Sequence, residues 1–209
     1  MSDLRLAGDA VAEIEVRRSR FLTTLRRVDS EEAARALVAE LRTRHPDARH
    51  HCSAFILDLP GTSAVERSSD DGEPAGTAGM PVLEALRVSG LRDVAAVVVR
   101  YFGGVKLGTG GLVRAYGDAV RAALDAASVV TVVEHELWEV ALPHADAGRV
   151  EADLHDHDVR VELVAYEPDG VRLTLAVVDG AALTTRLAAL TAGAARPVLV
   201  GATAVERPL

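Results

Sequence analysis

Residues 100–116 read Arg100-Tyr-Phe-Gly-Gly-Val-Lys106-Leu-Gly-Thr-Gly-Gly-Leu-Val-Arg-Ala-Tyr116, and an apolar run through Val97, Val98 and Val99 leads into them. A continuous apolar run is what a strand buried on both faces requires, which places one over 94–101. Five glycines follow, Gly103, Gly104, Gly108, Gly110 and Gly111, and the spacing of Leu112, Ala115 and Tyr116 then predicts a long helix over about 109–127. Strand, Gly-rich loop and helix make this a mixed α/β segment. Lys106 in its loop is the chain's only lysine, every other one of the 23 basic residues being arginine. A loop of glycines, a compact ammonium and a helix N-terminus together favour an anion. The spacing matches neither of two familiar phosphate loops: no Gly-Lys-Ser/Thr closes a Walker loop, and Gly108, Gly110 and Val113 break the pattern Gly-x-Gly-x-x-Gly.

Upstream, Val11, Ile14 and Val16, then Phe21, Leu22 and Leu25, read as two strands around the basic turn Arg17-Arg18-Ser19-Arg20. Asp29 or Ser30 can cap a helix whose apolar residues Ala34, Leu37, Val38 and Leu41 fall at i, i+3, i+4 and i+7, with Pro46 stopping it. A third strand is expected over 51–59. Residues 60–79 are rich in glycine, serine, aspartate and proline without periodicity, a connection long enough to be functional. Pro81 suits the first turn of the next helix. Past a strand at 129–133 the pattern restarts at Trp138 and gives strand, helix, two alternating strands around Pro168-Asp169-Gly170, helix and a last strand after Pro197. That order, βαββαβ, is the ferredoxin-like split. The boundary is expected at a strand exit over 134–137, giving domains 1–135 and 136–209.

A 209-residue chain that is 49% apolar can bury one large core or two small ones. Aromatics are only 3%, which argues against an aromatic stacking platform of the RNA-recognition-motif kind. Net charge is −8, so no global nucleic-acid footprint exists, and RNA binding would need a local basic site such as Arg100, Lys106 and Arg114. Cys52 is the single cysteine and has no intrachain disulfide partner, the N-terminus lacks a secretory pattern, and no apolar run approaches membrane-spanning length. A soluble cytoplasmic protein without a membrane partner is the expectation.

A second Gly-rich segment, containing Asp70, Asp71, Glu73, Gly76, Thr77 and Gly79, opens the helix at Pro81. If both helix ends face one groove, Arg100, Lys106 and Arg114 supply positive charge, and Asp70, Asp71 and Glu73 either orient the lysine or hold Mg²⁺. The plainer reading is a solvated acidic turn with Thr77 as a helix cap. His50-His51-Cys52 and His155-Asp156-His157 lack metal-ligand spacing across two elements. His51 and Cys52, adjacent on a strand, point to opposite faces, so the imidazole cannot serve the thiol. No Gly-x-Ser-x-Gly elbow exists. These residues describe a binding groove without a recognisable catalytic engine.

Arg18-Ser19-Arg20-Phe21, His51-Cys52, the 69–79 segment with Pro81, and residues 100–116 resemble the signature blocks of the IMPACT/YigZ family, over residues 10–135. The remainder resembles the small C-terminal domain of bacterial members. The resemblance implies an α+β protein: an N-terminal α/β domain of the ribosomal-protein and elongation-factor-domain-IV superfold, then a ferredoxin-like domain. That superfold also includes small-molecule kinases, so the fold does not choose between translation and enzymology. Eukaryotic relatives restrain a stress kinase acting on translation initiation through an additional N-terminal domain. The leading expectation is a translation-associated regulator that binds RNA or ribosomal phosphates through Arg100, Gly103, Gly104, Lys106, Gly108, Thr109, Gly110, Gly111 and Arg114. Its partner would be the ribosome, RNA or a translation factor. A Mg²⁺-dependent phosphate-handling enzyme using Asp70 and Asp71, and a protein-interaction module, are the alternatives; no cofactor is firmly implied.

Overall fold

The computed structural model describes residues 3–58, 63–155, 157 and 159–209. Its elements in chain order are β1 (Asp3–Leu6), β2 (Ala10–Val16), β3 (Ser19–Arg27), α1 (Glu31–Arg44), β4 (His50–Leu57), β5 (Val65–Ser69), α2 (Gly79–Ser89), β6 (Val94–Tyr101), α3 (Thr109–Asp125), β7 (Val129–Leu142), α4 (His144–His155), β8 (Arg160–Glu167), β9 (Gly170–Val177), α5 (Gly180–Leu190) and β10 (Val198–Pro208). They form two compact units, Met1–Thr131 with Pro208–Leu209, and Val132–Arg207.

In the first unit the sheet order is β2-β3-β6-β4-β5, with antiparallel neighbours throughout. Central β6 is buried on both faces, and its period of two sorts the run. Ala95, Val97 and Val99 meet Ala34, Leu37 and Leu41 of α1. Val94, Ala96 and Val98 meet α2 and α3 through Val82, Leu86, Leu112 and Val120. Val97 and Val98 are fully buried, each stabilising the fold by ~1.5–3 kcal/mol relative to exposure. Helix α1 starts where the Ser30 hydroxyl accepts from the Ala33 amide at 3.2 Å, with Glu31 and Glu32 in the first turn.

The second unit follows the order β7-α4-β8-β9-α5-β10, and its strands lie in the order β10-β7-β9-β8. Its core joins Val140, Leu142, Leu173 and Leu175 to Val150 and Leu154 of α4 and to Leu183 and Leu187 of α5. The molecule is thus mixed α+β with two sheets.

Three expectations change. The strands read at 129–133 and from Trp138 are one strand, β7, because alternation runs through the polar stretch: His135 is buried between exposed Glu134 and Glu136. The anticipated exit at 134–137 therefore lies inside β7, and the units part between Thr131 and Val132. The connection over 60–79 contains β5, an edge strand of β4 whose sequence Val-Glu-Arg-Ser-Ser carries no apolar alternation because it is mostly exposed. Residues 59–62, which include the end of the expected third strand, lie outside the described residues. Strand β1, which pairs with β7, was not foreseen. Among the described residues no helix is long and apolar enough to cross a membrane.

Candidate functional site

Alternation along β6 puts Arg100 on the α2/α3 face and Tyr101 on the α1 face. There, Arg100 forms part of a pocket of about 280 Å³ with Glu73, Phe102, Lys106, Gly108 and Thr109, closed by Pro74, Leu107 and Leu112. Arg100 Nη1 donates to Glu73 Oε1 at 2.5 Å, and the Tyr116 hydroxyl donates to the same oxygen at 2.8 Å. The pair is buried, with side-chain exposures of 7% and 4%. Ser19 Oγ accepts from the Gly103 amide at 3.2 Å and from Arg100 Nη2 at 3.5 Å. The guanidinium stands 5.4 Å from the centroid of Phe21 and 5.7 Å from that of Phe102. Its Nε is buried without a partner.

Behind Glu73 the hydrogen bonds continue, with Cys52 Sγ donating to the Tyr116 hydroxyl at 3.3 Å or to the Asp70 carbonyl at 3.0 Å. Burial pushes the Cys52 thiol up to about 12, and burial, then neighbouring Cys52 and Glu73, push the Tyr116 phenol up as well. Both stay protonated near neutrality and act as donors, the phenol to the Glu73 carboxylate and the thiol to the phenol oxygen or the Asp70 carbonyl. Neither is a nucleophile. His51 pairs in register with Val99 and Cys52 with Val98, which confirms that the imidazole and thiol lie on opposite faces of the strand.

The mouth of the pocket is built by the loop before α3. Gly108 is the N-cap at φ +72°, no side chain caps this helix end, and its first turn has no acidic residue. The first amide to find a helical acceptor is that of Leu112, bonded to the Gly108 carbonyl at 2.9 Å. Lys106 is exposed and has no ion pair among the described residues, so it is not a strut against Asp70 or Glu73. A Cβ on Gly103 would lie 2.1 Å from the Arg18 carbonyl carbon, so only glycine lets this loop lie against the β2–β3 turn. Gly104 is an exposed turn residue at φ +83°, and Gly110 and Gly111 belong to the first turn of α3.

The second Gly-rich loop differs. Asp70 Oδ1 accepts from the Ala78 and Gly79 amides at 2.9 and 2.8 Å, and Oδ2 from the Gly76 amide at 2.8 Å. Burial opposes the Asp70 charge, but the Gly76, Gly79 and Ala78 amides outweigh it and hold the carboxyl below its usual range. The α2 N-terminus is thus filled from within, whereas no side chain caps that of α3. Asp71 bonds Arg42, and its Oδ2 accepts from the His51 amide at 2.6 Å. Neither aspartate, which the Mg²⁺ alternative invoked, lines the pocket. Among the described residues no three His, Cys, Asp or Glu side chains are placed to hold a metal. Thr77 does not cap α2; its hydroxyl donates to the Pro74 carbonyl at 2.6 Å. Gly79 abuts the Ser69 backbone, where a Cβ would meet it at 2.8 Å.

Arg114 also leaves the expected set. It lines a separate groove of about 470 Å³ between α2 and α3, beside Val88 and Val113. Phe102, which the sequence reading passed over, is 52% exposed and lines the pocket. The strand period carried past Arg100 would have found it. His157 bonds the Asp153 carbonyl at 2.9 Å, while Asp156 of the His-Asp-His triplet lies outside the described residues.

Fold and pocket define a two-unit α+β protein with a lysine-bearing pocket at one end of its first sheet. Residues 17–124 match the model of the Impact N-terminal domain. The chain is 44% identical over 151 residues to an IMPACT family member of Haemophilus influenzae, spanning 72% of this chain and 73% of that one. It is also 56% identical over 110 residues to IMPACT family member YigZ of Escherichia coli, covering 53% of this chain and 54% of that relative. The crystal structure of a hypothetical protein superposes with a TM-score of 0.62 at 38% identity, covering 95% of this chain and 97% of the other. The chain belongs to the IMPACT family.

Proposed function

We propose that this chain is a cytoplasmic, translation-associated regulator that binds the phosphates of RNA, ribosomal RNA included, in the Lys106 pocket. The observation that carries the reading is the meeting, on one small pocket, of Lys106, which has no ion pair among the described residues, and an uncapped helix N-terminus. Lys106 supplies a point charge, and the amides opening α3 supply donors. Arg100 lies beneath them, its charge already matched by Glu73, and shapes the pocket rather than reaching out. Membership of the IMPACT family favours translation as the setting. The second unit's βαββαβ order and β10-β7-β9-β8 sheet support a ferredoxin-like assignment, and the first unit's mixed sheet and helices are compatible with the elongation-factor-domain-IV superfold.

Titrating a labelled RNA at several salt concentrations against wild type, Lys106→Ala and Lys106→Arg tests the reading. Binding should be weak and salt-sensitive, with both variants weaker and their melting temperatures unchanged, since an exposed unpaired cation contributes little to folding. Unchanged RNA affinity in both variants refutes it. Salt-insensitive association with a protein in place of RNA would favour an interaction module instead.

A further inference from the structure

The β2–β3 turn is built against residue preference. Val16 pairs with Ser19, leaving a two-residue turn of Arg17 and Arg18 at φ +48° and +66°. Such a turn ordinarily takes Asn-Gly, because bulky residues resist the left-handed region. Both arginines are exposed, and neither has an ion pair or hydrogen-bond partner among the described residues. The turn is bonded to the pocket: the Gly103 amide donates to Ser19 Oγ at 3.2 Å, and the Arg18 backbone lies against the Gly103 Cα. Arg49, also exposed and unpaired, precedes β4 at the same end of the sheet, where His50 faces Arg100. Carboxylates at this end are largely committed among the described residues, Glu13 to Arg20, Asp71 to Arg42 and Glu73 to Arg100, while Glu15 lies opposite Arg20 in the strand register.

Phe102 adds what a lone phosphate does not need. Its ring is half exposed in the pocket that Lys106 lines, with the Arg100 guanidinium 5.7 Å from its centroid. That guanidinium is buried, keeps an unpartnered Nε and lines the same pocket. Free cations beside an exposed aromatic ring suit a single strand, whose bases stack while its phosphates pair.

We infer that the ligand of this pocket is a single-stranded RNA segment, with a base stacked on Phe102, one phosphate at Lys106 and the next at Arg17 and Arg18. This rests on the phosphate reading of the Lys106 pocket and extends it to a strand. The turn permits a clean test, because Arg17→Asn with Arg18→Gly removes both charges while supplying the residues the turn prefers. The probe is a labelled single-stranded RNA of about ten nucleotides, followed by fluorescence anisotropy over a salt series. The double variant should melt no lower than wild type, bind more weakly and lose about 0.7 from its salt slope, the value of one single-stranded phosphate contact. Phe102→Ala should weaken binding about tenfold with an unchanged slope, Phe102→Trp should restore it, and the same sequence as a duplex should bind worse.

If Lys106→Ala weakens binding while the turn and Phe102 variants do not, the pocket stands and the strand track is overturned. If Lys106→Ala is silent too, both fall. Equal affinity for duplex, or displacement by polyglutamate as effectively as by RNA, also overturns the inference, the latter in favour of an acidic polypeptide.

Discussion

Replacing Glu73 by alanine tests the architecture of the pocket floor. Glu73 Oε1 takes one hydrogen bond from Arg100 and one from Tyr116, and the two charged side chains are 7% and 4% exposed, so solvent cannot replace what is lost. Leaving one member of a buried pair uncompensated costs about 3–5 kcal/mol. Phe21 and Phe102 flank the guanidinium and recover part of this, on the order of 0.5–2 kcal/mol, which puts the expectation near the lower end, about 3 kcal/mol. Glu73→Leu with Arg100→Met removes both charges and should return stability to within about 1 kcal/mol of wild type. Urea unfolding followed by far-UV circular dichroism measures it. Trp138, the only tryptophan, belongs to the second unit, so its fluorescence serves as an internal control. A Glu73→Ala loss under about 1 kcal/mol, or a double variant as weak as the single, would refute the claim that a desolvated ion pair organises the floor.

Gly103→Ala should destabilise the first unit by about 1–3 kcal/mol or displace the β2–β3 turn, since its Cβ would fall 2.1 Å from the Arg18 backbone; wild-type unfolding with unshifted turn resonances would contradict this. Native Cys52, its thiol pushed up to about 12, should resist iodoacetamide at about pH 8 and react only on unfolding, so rapid labelling of the folded protein by mass spectrometry would disprove its burial. Burial, more than the opposing attraction of Asp71, lowers the His51 pKa from its ordinary 6.5, so the folded state holds the ring neutral. Between the depressed folded value and 6.5 the unfolded chain binds the extra proton, so stability is full above 6.5 and declines as pH falls toward the folded value; His51→Gln should flatten that window in pH-dependent unfolding.

Where side chains obey one strong period, the sequence was transparent. The 94–101 run could only be a strand covered on both sides, and Ala34, Leu37 and Leu41 could only be a helix face; both pack as the periods require. What escaped was structure whose cause lies elsewhere in space. Strand β5 exists because β4 offers an edge, and nothing in Val-Glu-Arg-Ser-Ser announces that. Arg100 reads in the sequence as a phosphate-binding cation, whereas its partner Glu73 lies 27 residues away. Arg114 was grouped with Lys106 by proximity in sequence, yet eight residues along the chain carry it onto α3 and to a different groove.

The two Gly-rich loops show how similar local sequence can serve opposite ends. Both precede a helix whose first turn has no acid, and each helix N-terminus presents amides that need an acceptor. In the first case the chain supplies that acceptor itself, because the turn at Asp71, with φ +42°, brings Asp70 back over Gly76, Ala78 and Gly79. In the second the residues preceding the helix are Val105, Lys106, Leu107 and Gly108, which offer no side-chain carboxylate, and Glu73, the acid that lines the pocket, is already bound to Arg100 and Tyr116. An aspartate in place of Lys106 would therefore imitate Asp70 and cap α3 from within. Lys106→Asp should raise helix stability by about 0.5–1 kcal/mol while abolishing RNA binding. A variant that gains stability and still binds would break the link between the uncapped helix end and the ligand.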